Sequence, residues 1–357
     1  MHQQIVSDIF TNMTPKEQGF FFPPEWHPHV ATWLTFPHNE ASWQGNKRQQ
    51  MYPQYFELIK AISKGEKVGL NVNNEDLKNF ILGEIPKYDI DVNQLEFIVK
   101  QTNDAWCRDH GPAFLINPTT KERMIVNWGY NAWGGKYPPF NNDNDVPTNI
   151  AAHRGLNYVT PGIIMEGGSV EFNGAGTILT SRECLLNENR NPHLNQGQIE
   201  QYLYDYYGAE QVLWVNDGIV GDDTDGHIDD TTRFVNEDTV ITMVEPDKSD
   251  DNHAILDDNL QLLKQMRLLN GKQLNIVEIP MPTPIVLDDF RTPASYANFL
   301  ICNAGVIVPI FNCKNDEVAL DILSQVFTDR PVIGLPSDKI IWGQGSFHCL
   351  SQQEPAV

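Results

Sequence analysis

The sequence predicts an α/β ring of five ββαβ modules. Three observations lead to it. A pattern of two strands, a helix and a third strand recurs four times at intervals of roughly 60 residues. In each repeat the first two strands are short and adjoin a turn, as a hairpin requires; three of those turns begin with Asn. The helix of each repeat is amphipathic and has no partner layer of its own, so the modules must bury it by packing their strands around a shared axis. A doubly wound sheet is disfavoured, because a hairpin inside every unit breaks the strict βα alternation. The chain reads as a single domain over 1–357.

The N-terminal part supplies strand, helix and strand. A strand is expected over 30–36 and another over 67–72, with helical apolar spacing over 52–63 between them. Asn73-Asn-Glu-Asp76 then caps a second helix that presents Leu77, Phe80 and Ile81 on one face, and 95–99 reads as a strand. The first repeat has strands at 113–117 and 123–128, a helix at 146–153 and a strand at 156–160. Its connecting segment, 128–144, is rich in Gly, Pro, Asn and aromatics, and is read either as a lid or as a rigid loop. The second repeat places strands at 169–172 and 177–180 around Asn173-Gly-Ala-Gly176, then a helix at 196–207 and a strand at 211–215. The third places strands at 232–235 and 239–244, a helix at 253–266 and a strand at 274–279. The fourth places strands at 298–302 and 306–310, a helix at 316–327 and a strand at 331–335. A last strand at 346–350 is expected to complete the fifth module and close the ring.

Bulk composition narrows the partners. With 41% hydrophobic and 20% charged residues, the chain has enough apolar material for a sizeable core. A net charge of -22 argues against nucleic acid or an anionic membrane as partner, since both need a basic face. It suits a small cationic ligand. No apolar run is long enough to cross a membrane, and 1–16 lacks the basic-then-apolar order of a signal peptide. The five cysteines are odd in number and show no CxxC spacing, which fits free thiols and a cytoplasmic location.

Four segments carry residues with chemistry. Cys349 lies in the glycine-rich segment Gly343-Gln-Gly-Ser-Phe-His-Cys349 near the C-terminus. Asp109 falls just before the first strand of one repeat, Glu166 before that of the next, and His227 with Asp229 before that of the third. Equivalent positions in a ring face the same end of the axis, so these segments are expected to converge on one pit. A Cys nucleophile needs an acid/base partner, and His227 is the natural one. Three carboxylates beside a thiol do not suit an ester or amide, whose transition state wants N–H donors or cations. They do suit a planar cation such as a guanidinium, whose N–H fork matches paired carboxylates.

Other readings of these residues were weighed. The loop Gly221-Asp-Asp-Thr-Asp-Gly226 resembles a calcium loop, but Gly221 and Thr232 stand where an EF-hand needs carboxylates. His227 and Asp229 are half of a metal site at most, with no second His at ligand spacing. Gly343-x-Gly345-x-x-His348 lacks the third glycine of a dinucleotide loop. On a strand, His348 points away from Cys349 and reads as a packed core histidine. Asp230 reads as structural, Cys107 as a core thiol, and Arg108 as an internal salt-bridge partner that orients carboxylates.

With these motifs in place, the chain resembles the agmatine deiminase branch of the guanidino-group-modifying (pentein) enzymes. The likeness runs from Thr14-Pro-Lys-Glu-Gln-Gly19 and Thr32-Trp-Leu-Thr-Phe-Pro37 to Gln352-Gln-Glu354. It includes Asn103-Asp-Ala-Trp-Cys-Arg-Asp-His-Gly-Pro112, Asn131-Ala-Trp-Gly-Gly135, Glu166-Gly-Gly-Ser169, Gly226-His-Ile-Asp-Asp230 and Ser295-Tyr-Ala-Asn-Phe-Leu300. The resemblance implies the pentein propeller fold and hydrolysis of a small guanidino compound, agmatine to N-carbamoylputrescine and ammonia, in putrescine formation. It makes Cys349 the nucleophile, His227 and Glu166 the acid/base and its neighbour, and Asp109 and Asp229 the guanidinium clamp. Trp106 and Gly345 are expected at the substrate slot, and the resemblance implies no metal and no organic cofactor. Rival substrates are free arginine and peptidyl-arginine; a rival class is a non-catalytic polyamine binder. A homo-oligomer is left open. The family pattern Gly-Gly-Gly-Asn-Ile-His-Cys is altered here at Gln344, Ser346 and Phe347, which bears on the substrate tail.

Overall fold

Three of the hairpins are closed by the same device. Asn117 Oδ1 accepts from the backbone N–H of Thr119 and Thr120 at 2.9 and 3.1 Å. Asn173 Oδ1 does so for Ala175 and Thr177, and Asn236 Oδ1 for Asp238 and Thr239. The side chain thus replaces a backbone turn and sets the strand pair that follows.

The computed structural model describes residues 13–357. The reading of 1–16 as free of a leader falls, for 1–12, outside the described residues. In chain order the strands are β1 His29–Thr35, β2 Lys67–Val72, β3 Leu95–Val99, β4 Ala113–Asn117, β5 Glu122–Val126 and β6 Asn157–Val159. They continue with β7 Val170–Phe172, β8 Thr177–Ser181, β9 Gln211–Val215, β10 Thr232–Phe234, β11 Thr239–Val244 and β12 Asn275–Pro280. The last are β13 Val286–Leu287, β14 Phe290–Arg291, β15 Leu300–Cys302, β16 Gly305–Ile310, β17 Val332–Pro336 and β18 Ser351–Pro355. The longer helices are α1 Lys47–Ser63, α2 Glu75–Glu84, α3 Val146–Arg154, α4 Gln196–Tyr207, α5 Asn252–Gln265 and α6 Asp316–Val326.

The ring of five ββαβ modules is present. Four sheets have the orders β4-β5-β6, β7-β8-β9, β10-β11-β12 and β15-β16-β17. In each, the first pair is antiparallel and the second parallel, with a helix crossing between the parallel strands. The fifth sheet runs β18-β1-β2-β3: the C-terminal strand pairs antiparallel with β1 and so completes the first module. Each helix buries one apolar stripe, such as Ile199, Leu203 and Tyr207 of α4, against its sheet.

Closure is held by charge as well as by backbone. Glu354 on β18 is fully buried and is met by Arg123 of β5, by Arg154 Nε of α3 at 2.9 Å, and by the indole of Trp33 on β1 at 2.8 Å.

Several boundaries differ from expectation. The closing strand is Ser351–Pro355, and 347–350 is a turn. The reason is local: Gln344 takes a left-handed backbone with φ 76°, and Asn298 Oδ1 accepts from the N–H groups of His348 and Cys349 at 3.1 and 3.2 Å. Those N–H groups therefore do not enter a ladder. Helix α1 begins at Lys47, ahead of the apolar spacing expected from 52, and carries Pro53 inside it. The hairpin β13–β14 carried no strong signal.

Candidate active site

The segments before the first strands of three modules each form one helical turn rather than extended chain: Cys107–His110, Gly167–Ser169 and Ile228–Asp230. These turns aim Asp109, Glu166, His227 and Asp229 at the ring axis. The turn before β18 brings Cys349 to them. Its Sγ lies 3.7 Å from Asp229 Oδ2, while His227 Nδ1 lies 4.0 Å from Asp229 Oδ1 and 3.7 Å from Asp109 Oδ1. The thiol of Cys349 and the imidazole of His227 therefore flank one carboxyl group. Ligand atoms of Glu166 and His227 lie within 4.8 Å of each other.

Gly168 allows this crowding. A Cβ built there would lie 2.6 Å from His227 Nδ1, 2.9 Å from Asp109 Oδ1 and 3.1 Å from Asp229 Oδ2. Its N–H instead donates to Asp109 Oδ1 at 3.1 Å. The other oxygen of Asp109 accepts from Trp133 Nε1 at 3.0 Å.

Burial sets the electrostatics. Desolvation, then the neighbouring Glu166, pushes the Asp109 carboxyl up to about 7. Burial and Asp109 drive Asp229 well above the usual carboxylate range. Burial also raises Glu166, against the pull of Arg190, whose Nε sits 2.7 Å from Glu166 Oε1. Burial and Arg190 push His227 well below the usual imidazole range. Burial and the Asp229, Asp230 and Asp109 carboxyls drive the Cys349 thiol up. The site is thus rich in acids and short of positive charge, and a cation placed among them would oppose the carboxyl and thiol shifts. Both His227 nitrogens, Glu166 Oε2 and Asp229 Oδ1 have no hydrogen-bond partner among the described residues.

A cavity of about 680 Å³ leads to this cluster, a size suited to a small organic ligand. Trp106, Asp109 and Cys349 line it, whereas His227, Glu166 and Asp229 are completely buried. Trp106 stacks on Trp43 with ring centres 5.3 Å apart. Gly345 is buried behind Trp106: a Cβ there would lie 2.4 Å from Trp106 Cζ3 and 3.1 Å from Cys349 Cβ. Its place is to let the tryptophan and the nucleophile approach. Within 128–144, single helical turns at Ala132–Gly135 and Asn141–Asn144 form part of the cavity wall. Lys136 Nζ reaches Asp225 Oδ1 at 2.7 Å, and Tyr137 bonds Asp223, so this segment is tied to the loop before His227.

Three residues escaped the sequence reading. Asn298 donates to Cys349 Sγ at 3.0 Å and to Asp230 Oδ1 at 2.9 Å, and so links the two. Trp133 and Arg190 hold Asp109 and Glu166. Asn298 and Trp133 stood inside quoted motifs, but nothing marked them as site residues; Arg190 lay in no motif. Arg108 departs from its expected role. Among the described residues it forms no ion pair; it donates to Gln353 Oε1 at 2.6 Å and to the carbonyl of His348 at 3.3 Å, and so braces the nucleophile turn. His348 does not point away from the site, because a turn replaces the strand; its Nδ1 lies 2.6 Å from Asp229 Oδ2. Cys107 is a buried thiol pushed up to about 12 by desolvation, in keeping with a core role.

Among the described residues three groups of donors lie close enough together for a metal, the third being Asp229–Asp230–Cys349. Glu166 of the Glu166–Cys184–His227 group pairs with Arg190, and both carboxylates of the Glu25–Glu171–His348 group pair with Arg233.

The model of the Porphyromonas-type peptidyl-arginine deiminase family matches residues 21–355. The chain belongs to this family. As a member of the family it is an enzyme of the deiminase type. An agmatine deiminase of Pseudomonas putida is 34% identical, with 97% of this chain and 98% of that one covered. The solved agmatine deiminase of Enterococcus faecalis superposes with a TM-score of 0.89 at 32% identity, covering 97% of this chain and 98% of the other. A Cys-to-Ser agmatine deiminase of C. jejuni with substrate bound superposes at 0.83 and 33% identity, covering 94% and 96%. The family's pentein ring is the architecture described above.

Proposed function

We propose that the chain hydrolyses agmatine to N-carbamoylputrescine and ammonia through a covalent intermediate on Cys349. The observation that carries the choice of substrate is the charge of the cavity wall. Asp104, Asp143, Asp223 and Asp288 line it beside Asp109, and Lys47 is the cation among the lining residues. Lys47 is occupied: its Nζ lies 2.7 Å from Asp288 Oδ2. A substrate bearing a second positive charge is favoured by such a wall. The α-carboxylate of free arginine would meet acids and no free guanidinium.

In this reading Asp109 and Asp229 grip the guanidinium, which lowers the cost of the Cys349 thiolate. The sulfur attacks the central carbon as its proton passes to His227. His227 protonates the departing nitrogen, which leaves as ammonia, and Glu166 supports the imidazolium. A water deprotonated by His227 then attacks the thiouronium carbon, and the thiolate is expelled with the ureido product. Trp106 walls the methylene chain. We further propose one catalytic domain and, from five unpaired cysteines, a reducing cytoplasmic setting.

The test is ammonia release from agmatine, free arginine and a blocked arginine amide, with Cys349→Ser as control. Agmatine should give the largest kcat/KM, and quenched enzyme should carry an amidino adduct on Cys349. A preference for blocked arginine would replace agmatine with a peptide substrate. Turnover by Cys349→Ser would remove the covalent route.

A further inference from the structure

His348 adjoins the candidate nucleophile in sequence, yet its ring sits in a second string of charges. Nδ1 lies 2.6 Å from Asp229 Oδ2, and Nε2 lies 3.2 Å from Glu25 Oε2. Glu25 comes from the segment before β1, accepts from the N–H of Ile301 at 2.7 Å, and pairs with Arg233. Arg233 is fully buried and also bonds Glu171 and the carbonyls of Ala297 and Phe299. This string of charges meets the cluster at Asp229.

The two carboxyls that face the imidazole differ. Burial alone would raise Glu25, but Arg233 and His348 hold it well below the usual range, so it is a carboxylate. Burial and Asp109 drive Asp229 the other way, toward its protonated form. A neutral ring satisfies both: Nε2–H donates to Glu25, and Nδ1 accepts from the Asp229 hydroxyl. The cations Arg108 and Arg233, together with burial, favour that neutral ring.

A guanidinium upsets this balance. Asp229 Oδ1 has no partner, and an entering guanidinium gains a charge-assisted bond there once the carboxyl ionises. Resting on the guanidino reading above, we propose that His348 is the proton acceptor for Asp229. As the cation enters, the Asp229 Oδ2–H bond breaks and an Nδ1–H bond forms on His348. Glu25 then faces the resulting imidazolium. The clamp gains its negative charge without releasing that proton to water, and no heavy atom has to travel. His348 touches no reacting atom in this scheme; it acts through Asp229 as a positioning residue.

The experiment uses the full chain carrying Cys349→Ser, titrated calorimetrically with agmatine in two buffers of different ionisation enthalpy. Adding His348→Asn preserves a hydrogen bond to Asp229 but removes the base. The double variant should release about one more proton per ligand bound. Its Kd should weaken about tenfold, the scale of a lost charge-assisted buried bond. Equal proton counts in the two proteins overturn the proposal. A second measurement does not depend on how the Asn variant folds: with ¹⁵N-labelled histidine in Cys349→Ser, the His348 ring should change from the neutral to the imidazolium pattern on adding agmatine. A ring that stays neutral in the bound state overturns the proposal and leaves the deiminase reading intact. If agmatine, arginine and arginine amide all fail to bind, the guanidino reading falls and takes this proposal with it.

Discussion

Arg190 Nε lies 2.7 Å from Glu166 Oε1, and neither side chain has any exposed surface. The same guanidinium bonds Asp225 Oδ2 at 2.5 Å and the carbonyl of Thr224 at 2.7 Å. One side chain therefore ties the Glu166 turn to the loop that leads into His227. Arg190→Met leaves Glu166 buried without its counter-charge, which should cost about 3–5 kcal/mol. The expected result is a large drop in Tm together with loss of kcat. Arg190→Lys should recover only part, since an ammonium lacks the fork that spans all three partners. An unchanged Tm for the Met variant would show that the pair is not holding the loops.

Asp109 makes the site depend on pH in two ways. Its folded value of about 7 stands above its ordinary 3.8, so between those values the native chain holds the extra proton. Stability contributed by this group therefore falls as pH rises from 3.8 to about 7. Binding runs in the opposite sense, because the cationic ligand pairs with the ionised form. Agmatine should bind Cys349→Ser more tightly as pH rises through about 7, and Asp109→Asn should flatten that rise. Calorimetric Kd values across this range check it; a flat profile with Asp109 intact contradicts it.

Gly345→Ala tests whether the proposed nucleophile, Cys349, is placed by close packing. The added methyl would press on Trp106 Cζ3 at 2.4 Å and on Cys349 Cβ at 3.1 Å. A displacement of about 1 Å at the sulfur should lower kcat about 10²-fold with smaller change in KM. Activity within twofold of the parent, with the variant folded, would show that the turn absorbs the methyl at no cost to the sulfur's position.

Trp133→Phe removes a single N–H from Asp109 Oδ2 while keeping most of the apolar ring. One hydrogen bond to a buried carboxylate is worth about 1.5–3 kcal/mol. KM for agmatine should therefore rise about tenfold or more, with Tm lowered far less than in Arg190→Met. A KM equal to that of the parent would mean that Gly168 alone orients Asp109.

Much of this architecture was legible before any coordinates. Periodic apolar spacing marked α3 to α6 within a residue or so of their ends, and Asn-led turns marked the hairpins at Asn173, Asn236 and Asn303. The repeat also predicted that Asp109, Glu166, His227 and Asp229 would share one end of the axis, because equivalent positions in a ring must. The misreadings cluster where side chains, not periodicity, direct the backbone. Asn298 reaches across from another module to bind the N–H groups of His348 and Cys349, and this turns an expected strand into a turn. No local pattern near Cys349 carries that information. Arg108 was assigned to carboxylates because buried arginines usually pair, but the turn at 107–110 directs it to Gln353 and a carbonyl.

Composition, spacing and motif order by themselves determined the ring, the ββαβ unit and the identities of the converging acids, imidazole and thiol. Those are properties of local periodicity and of symmetry, and both are written along the chain. The tertiary structure alone decided which partners set the state of those groups: Arg190 on Glu166, Trp133 on Asp109, Asn298 on Cys349, and His348 between Asp229 and Glu25. The reason is that a buried charge answers to whatever lies within a few ångströms of it in low dielectric, and those neighbours come from modules far away in sequence.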